Sequence, residues 1–351
     1  MRIDKLREVM KKINLDAVII SSKANKLYFG GLSGSGVKIL ITKENQYQIM
    51  DSRYINEANE KSKKFINIDY KNNFCEIVKD IFIKENLVSL GVEGKHTLAK
   101  DYIAYNEITN EIILLNNEIE RIRAIKSSDE VESLRKACEL TDYIFSQVIK
   151  EIKVGVTELE IAAKINYLAM MGGASGMSFD TIVASGFRSA MPHGRPTSKK
   201  IQKGDAIVLD FGIILDGYQS DMTRTVFLEE IDDTMREIYN IVLSAQLKGI
   251  EEVGINKSGK EIDKSVRKYI EEKGYGEYFE HGLGHGIGMG GDIPILNKVS
   301  NDILDEGMVM SIEPGIYVPN FGGVRIEDDV AIINGVGVPL NKTNKELLII
   351  K

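Results

Sequence analysis

The feature that most limits how this chain can fold is a set of acidic residues beside apolar, strand-like runs. Asp210 follows AIVL at 206–209, and Asp221 lies one predicted hairpin later. Glu313 follows MVMSI at 308–312, and Glu327 precedes two further aspartates and VAII at 330–333. Desolvating an unpaired carboxylate costs several kcal/mol. If these strands are buried, a bound metal ion is the simplest way to offset that cost; ordinary solvated surface charge is the alternative.

The stretch HGLGHGIGMGGDIP at 281–294 contains two of the four histidines, His281 and His285. A glycine-rich loop can bind phosphate, but this one lacks GxxxxGK followed by Ser or Thr, and it lacks the GxGxxG pattern of a strand-loop-helix unit. Divalent cations held mostly by oxygen ligands commonly take an imidazole as well. Together with the four carboxylates, the stretch therefore favours a metal site, and histidines merely packed in a tight turn are the alternative.

Length and charge limit the class of protein. A chain of 351 residues favours two domains over one large domain. A net charge of −7 without a long basic run disfavours nucleic acid or an anionic membrane as a partner. The opening MRIDKLREVMKK lacks the apolar run of a secretory signal, and no apolar stretch approaches a membrane span, so we expect a cytoplasmic protein. Cys75 and Cys138 show no CxxC spacing, and we expect them to pack as small hydrophobic residues.

Two regions differ in their patterns. Residues 1–117 alternate helical segments with short β-rich runs, which predicts an α/β domain, and a boundary near Asn117 precedes a new helix. Residues 118–351 combine long helices with strand hairpins, which predicts an α+β domain. The S/T-x-x-E signature of a capping box predicts helix starts at Ser127, Thr157 and Ser258.

Several motifs then occur in register with one family: LDFGIILDGYQSDMTRT, SAMPHGRP, HGLGHGIG, SIEPGIY and GGVRIED. In order and approximate spacing they resemble the pita-bread metallopeptidases, most closely the aminopeptidase P and prolidase branch. LYFGGLSGSGVKILIT and MDSRYINEA resemble the amino-terminal domain of the same branch. The resemblance implies an N-terminal creatinase-like α/β domain followed by a C-terminal pita-bread (creatinase/aminopeptidase) domain.

The resemblance also assigns residues. It implies that Asp221 and Glu327 bridge two metal ions, that Asp210 chelates one ion, and that His285 and Glu313 hold the other. Glu313 is also the candidate proton acceptor. Substrate contacts or catalytic support are expected from further residues of the motifs: His193, His281 and Arg325, with Tyr317 and Thr223 as additional supporting residues.

The implied activity is hydrolysis of an Xaa-Pro bond, in dipeptides or at the N-terminus of longer peptides, by a homodimer with two divalent ions. Manganese is favoured, and cobalt, iron or zinc can substitute. One departure stands out: the branch normally has another histidine seven positions after the ligand histidine, and Asp292 stands there. A metal-binding protein with low or altered activity is therefore an alternative, and a non-catalytic binding module is another.

Overall fold

The computed structural model describes residues 2–71, 73–291 and 293–351, and it divides into two compact units, Met1–Arg123 and Ala124–Lys351. The predicted boundary at Asn117 lies in the turn just before a helix, α6 (Glu118–Ala124), at the end of which the two units divide.

The N-terminal unit is an α/β unit built on a mixed sheet. Its elements in chain order are α1 (Arg2–Lys12), β1 (Ala17–Ile20), α2 (Lys23–Tyr28), β2 (Val37–Thr42), β3 (Gln46–Met50), α3 (Ile55–Lys61), β4 (Ile66–Asp69), α4 (Phe74–Glu85), β5 (Ser89–Glu93), α5 (Ala99–Tyr105) and β6 (Glu111–Leu115). The strand order is β4-β3-β2-β1-β5-β6, with β2 antiparallel to both of its neighbours. All residues of β1 and β5 are buried, as expected for central strands covered on both faces.

The C-terminal unit combines long helices with antiparallel strand pairs. Its elements in chain order are α7 (Ser128–Val148), α8 (Glu158–Met171), β7 (Gly176–Met177), β8 (Ile182–Ser185), β9 (Ala206–Phe211), β10 (Ile213–Leu215), β11 (Tyr218–Gln219), β12 (Met222–Leu228), α9 (Asp233–Glu252), α10 (Gly259–Glu272), β13 (Gly284–His285), β14 (Ile295–Leu296), β15 (Val309–Ile312), β16 (Gly315–Val318), β17 (Gly322–Arg325), β18 (Asp328–Ile333), β19 (Val336–Pro339) and β20 (Ile349–Ile350). Short 3₁₀ turns lie at Ile149–Glu151, Gly186–Ala190 and Gly276–Tyr278.

The predicted helix starts are found at their signature residues. Ser127 and Thr157 each form a complete capping box, with Glu130 and Glu160 respectively, so both predictions are confirmed. Ser258 precedes α10 as predicted, but its side chain makes no capping hydrogen bond. Among the described residues, every helix is too short or too polar to cross a membrane.

Two antiparallel strand pairs position the acidic residues. β9 pairs with β12 so that Asp210 lies opposite Thr223, and β15 pairs with β18 so that Ile312 lies opposite Asp328. Asp221 therefore directly precedes β12, at the same end of its pair as Asp210. The α9 and α10 helices contribute much of the apolar core that packs around these strands.

Candidate metal centre

Three carboxylates lie close together where the two strand pairs meet. Asp210, Asp221 and Glu327 each place a carboxylate oxygen within 4.8 Å of the others. Their exposed fractions are 6%, 7% and 1%. One oxygen of each, Oδ1 of the two aspartates and Oε1 of Glu327, is buried without a hydrogen-bond partner within the described part of the chain. Buried oxygens left unpaired in this way fit a site for a hard or borderline divalent cation.

The electrostatics of this cluster favour the same interpretation. Burial, and next the charge of Glu327, raise the pKa of Asp221 well above its ordinary value. Burial, and next Glu313, raise the pKa of Glu327 in the same direction. Like charges in a desolvated site resist joint ionisation, and a bound cation removes that resistance.

His285 and Glu313 face the cluster from the side. The Nε2 atom of His285 lies 3.6 Å from Asp221 Oδ2 and 3.6 Å from Glu313 Oε1. Its Nδ1 lies 3.1 Å from the carbonyl oxygen of Gly286, which can only accept. In the neutral ring, Nδ1 therefore carries the proton and Nε2 offers its lone pair toward the carboxylates, as a metal ligand would.

A glycine allows the strand carrying His285 to approach the core. A Cβ atom built on Gly284 would lie 1.9 Å from the carbonyl oxygen of Ser311. Any side chain at this position would push β13 away from β15. At Gly284, next to His285, glycine is therefore required for steric reasons.

Arg325 lies behind the carboxylates and is only 3% exposed. Its Nη2 donates to Asp210 Oδ2, and its Nε donates to Thr223 Oγ1 over 3.1 Å. Thr223 in turn donates to Glu327 Oε2 over 2.6 Å. The guanidinium therefore orients two of the three clustered carboxylates, directly or through one hydroxyl.

His281 is held as a neutral ring. Arg325 Nη1 donates to the hydroxyl of Tyr317 over 2.8 Å, so that hydroxyl donates its own proton to His281 Nε2, at 2.9 Å. The proton of His281 is then on Nδ1, which donates to the carbonyl of Gly282 over 2.8 Å. Burial, and next the charge of Arg325, lower the pKa of His281 to about 4. Both ring nitrogens are thus used within the protein.

One cavity of about 550 Å³ unites the predicted site residues. This volume is within the range of small-molecule sites. Every residue predicted from the sequence as a ligand or a catalytic residue is among its lining residues: His193, Asp210, Asp221, His281, His285, Glu313, Arg325 and Glu327. His193 is exposed, whereas the clustered carboxylates are buried, so the cavity runs from an open rim to an acidic floor.

Two supporting contacts of the site were not predicted from the sequence, and the prediction at Asp292 stays a prediction. Ser311 on β15 donates to Glu313 Oε1, and Glu313 directly follows that strand; the spacing of two residues, which places side chains on the same side of an extended chain, was an available signal. Cys138 is free and buried as predicted, but it also donates to Asp329, which accepts the backbone N–H of Asp221. Asp292 lies outside the described residues.

Known proteins match both parts of the chain. Residues 132–334 match metallopeptidase family M24, and residues 2–125 match the creatinase/prolidase N-terminal domain. The chain is 40% identical to the Xaa-Pro dipeptidase of Pyrococcus furiosus, with 99% of each sequence covered. Its structure is similar to that of the Xaa-Pro dipeptidase from Bacillus anthracis, with a TM-score of 0.95, 36% identity and 99% of each chain covered. The prolidase from Pyrococcus horikoshii OT3 gives a TM-score of 0.93 at 38% identity, again over 99% of each chain.

These matches confirm the predicted resemblance and the predicted fold class, a creatinase-like α/β domain followed by a pita-bread catalytic domain. The family acts on peptides and implies divalent metal ions, for which the acidic cluster is a candidate site. The chain therefore belongs to metallopeptidase family M24.

Proposed function

We propose that this protein is an Xaa-Pro dipeptidase that uses two divalent metal ions, with manganese favoured and cobalt, iron or zinc able to substitute. The observation that carries the proposal is the meeting, in one cavity, of all the predicted ligands, with three buried carboxylate oxygens left unpaired among the described residues. The names of the P. furiosus and B. anthracis relatives support the substrate class.

The five proposed ligands divide between two ions. Asp210 would chelate one ion, Asp221 and Glu327 would bridge the two, and His285 and Glu313 would hold the second. Ions bound there would activate a water molecule and polarise the scissile carbonyl. Glu313, on the wall of the cavity, would accept the proton of the attacking water.

The surrounding residues bind and orient. Arg325 would keep the carboxylate of Asp210 turned toward the ions, because its Nη2 already donates to that side chain. His193, on the exposed rim, would contact the substrate near the scissile bond. His281, with both ring nitrogens engaged, would form a fixed wall of the cavity.

A substrate comparison tests the proposal. The manganese-loaded protein should hydrolyse Gly-Pro and Ala-Pro, and it should cleave Gly-Pro-Gly and Gly-Ala much more slowly. Preference for Gly-Ala would refute the proline assignment. Preference for Gly-Pro-Gly would instead indicate an Xaa-Pro aminopeptidase.

Asp292 favours a second candidate, a metal-binding family member with low or altered Xaa-Pro activity. The histidine expected at this position would donate a hydrogen bond to the substrate or the developing oxyanion, a contribution of roughly a hundredfold in rate. An ionised aspartate cannot donate. Under this candidate, Asp292→His hydrolyses Gly-Pro faster than the parent; an unchanged rate removes the argument for it.

The proposed assembly is a homodimer, and the proposed location is the cytoplasm. Light scattering after size-exclusion chromatography measures the molar mass of the assembly directly. A monomeric mass at micromolar concentration would contradict the proposed homodimer.

A further inference from the structure

Ser311 is a buried serine that contacts two residues of the proposed metal centre. It lies on β15 and is fully buried. Its Oγ accepts the backbone N–H of His285 over 3.0 Å and donates to Glu313 Oε1 over 3.0 Å. The one hydroxyl thus fixes both the strand that carries the imidazole and the orientation of the carboxylate.

The hydroxyl occupies a gap in the hydrogen-bond ladder between the segments 283–287 and 309–313. On one side of it, Glu313 N donates to the carbonyl of Leu283, and on the other, Ile287 N donates to the carbonyl of Val309. Between them, the N–H of His285 donates to Ser311 Oγ instead of to a backbone carbonyl. A buried N–H needs a partner, so removal of this hydroxyl forces His285 either to shift or to leave the group unpaired.

The opposite side of the hydroxyl acts on Glu313. A serine hydroxyl has one proton to donate, and here Glu313 Oε1 receives it. That same oxygen lies 3.6 Å from His285 Nε2. The hydrogen bond from Ser311 therefore determines which oxygen of Glu313 faces the imidazole of His285, and it holds these two side chains next to each other.

We propose that Ser311 is a positioning residue that sets the geometry of His285 and Glu313 together, and so the affinity of one of the two metal positions. The inference rests on the proposed function. The other position would be held by Asp210 together with Asp221 and Glu327, none of which has a hydrogen bond to Ser311 among the contacts of the described residues. Loss of the hydroxyl should thus weaken the binding of one ion, not of both.

The test measures bound manganese by equilibrium dialysis and elemental analysis, at a free concentration at which the parent holds two ions per chain. Ser311→Ala should hold one ion tightly, with the second bound roughly 10- to 100-fold more weakly. At saturating manganese its kcat for Gly-Pro should fall, with KM within about twofold of the parent, because the substrate still meets the same cavity wall. Ser311→Thr, which keeps the hydroxyl, should restore both the second ion and kcat.

Ser185→Ala is the matched control, since Ser185 is equally buried on β8 and its hydroxyl bonds to Glu158 and Lys199, away from the centre. This control should hold two ions. If Ser311→Ala does not fold, Ser311→Cys, with its weak donor and acceptor, is measured in the same way with the same expectation.

The inference is overturned if Ser311→Ala binds both ions as the parent does, if it loses both equally, or if Ser311→Thr is as impaired as Ser311→Ala. A parent that holds fewer than two ions overturns the proposed function and this inference with it. A parent with two ions and an unchanged Ser311→Ala overturns the inference alone.

Discussion

Glu313 differs from the other acidic residues of the centre because its side chain faces both an imidazole and a hydroxyl. Burial raises its pKa, while the facing His285 and the hydrogen bond from Ser311 oppose that shift. A carboxylate placed between these groups at the cavity wall is suited to exchange protons with a water molecule.

Replacing the carboxylate of Glu313 by an amide tests its proposed role in catalysis. Glu313→Gln keeps the size of the side chain but removes the proposed base, so kcat for Gly-Pro should fall by about 10²- to 10⁴-fold. Steady-state kinetics at saturating manganese measures this. Glu237→Gln, an exposed position on α9, serves as the control and should match the parent. A Glu313→Gln variant that keeps more than about a tenth of parental kcat would exclude the role as base.

The lowered pKa of His281 makes the free energy of unfolding depend on pH. Its pKa is lowered to about 4 from an ordinary value of 6.5. Between pH 6.5 and pH 4, this histidine binds a proton in the unfolded chain but stays neutral in the folded protein. The stability that His281 contributes is thus fully present above pH 6.5 and is lost on acidification.

Nitrogen-detected NMR can resolve this histidine, because the chain contains only four. We expect His281 to show a proton on Nδ1 and to remain neutral down to about pH 4. In His281→Gln, the dependence of unfolding free energy on pH between 6.5 and 4 should be weaker than in the parent. An imidazole at this position that titrates at its ordinary value would contradict the hydrogen-bond network drawn through Tyr317.

At the scale of elements, a buried ion pair joins β12, β18 and the C-terminal segment. Arg224, 2% exposed, donates to the fully buried Asp328 over 2.6 Å. It also donates to the carbonyls of Glu327 and Thr343. Lys345 is a second cationic partner of Asp328. The two strands that directly follow Asp221 and Glu327 are thus held in place by Thr343 and Lys345, near the end of the chain.

Removing one partner of this pair should destabilise the catalytic unit strongly. Arg224→Met leaves Asp328 with less compensation for its burial, and we expect a loss of about 3–5 kcal/mol in the free energy of unfolding. Urea unfolding of the metal-free proteins measures it without a contribution from bound ions. Arg236→Met, on the exposed face of α9, should lie within about 0.5 kcal/mol of the parent. A similarly small change in Arg224→Met would show that the pair does not support the fold.

The difference between what the sequence could and could not predict follows from the separation of the residues involved. Capping boxes depend on residues three positions apart, and those at Ser127 and Thr157 were predictable from spacing alone. The bond from Arg224 to Asp328 joins residues 104 positions apart. The patterns at each end contain nothing that pairs them, so such contacts required the fold itself.

At the scale of the whole molecule, the order of motifs carried more information than any single motif. Acidic residues beside apolar strands indicated a metal, and the glycine-rich histidine stretch supplied an imidazole, but only the full series in register predicted the fold class and the family. The domain boundary near Asn117 stays a prediction; the two compact units of the structure divide at the end of α6.

We propose a two-metal centre built from Asp210, Asp221, His285, Glu313 and Glu327. Elemental analysis of the protein after reconstitution with manganese and removal of free ions tests it most directly, alongside Asp221→Asn, which weakens a proposed bridge. We expect about two ions per chain in the parent and at most one in the variant. Fewer than one ion per chain in the parent, or an unchanged content in Asp221→Asn, would contradict it.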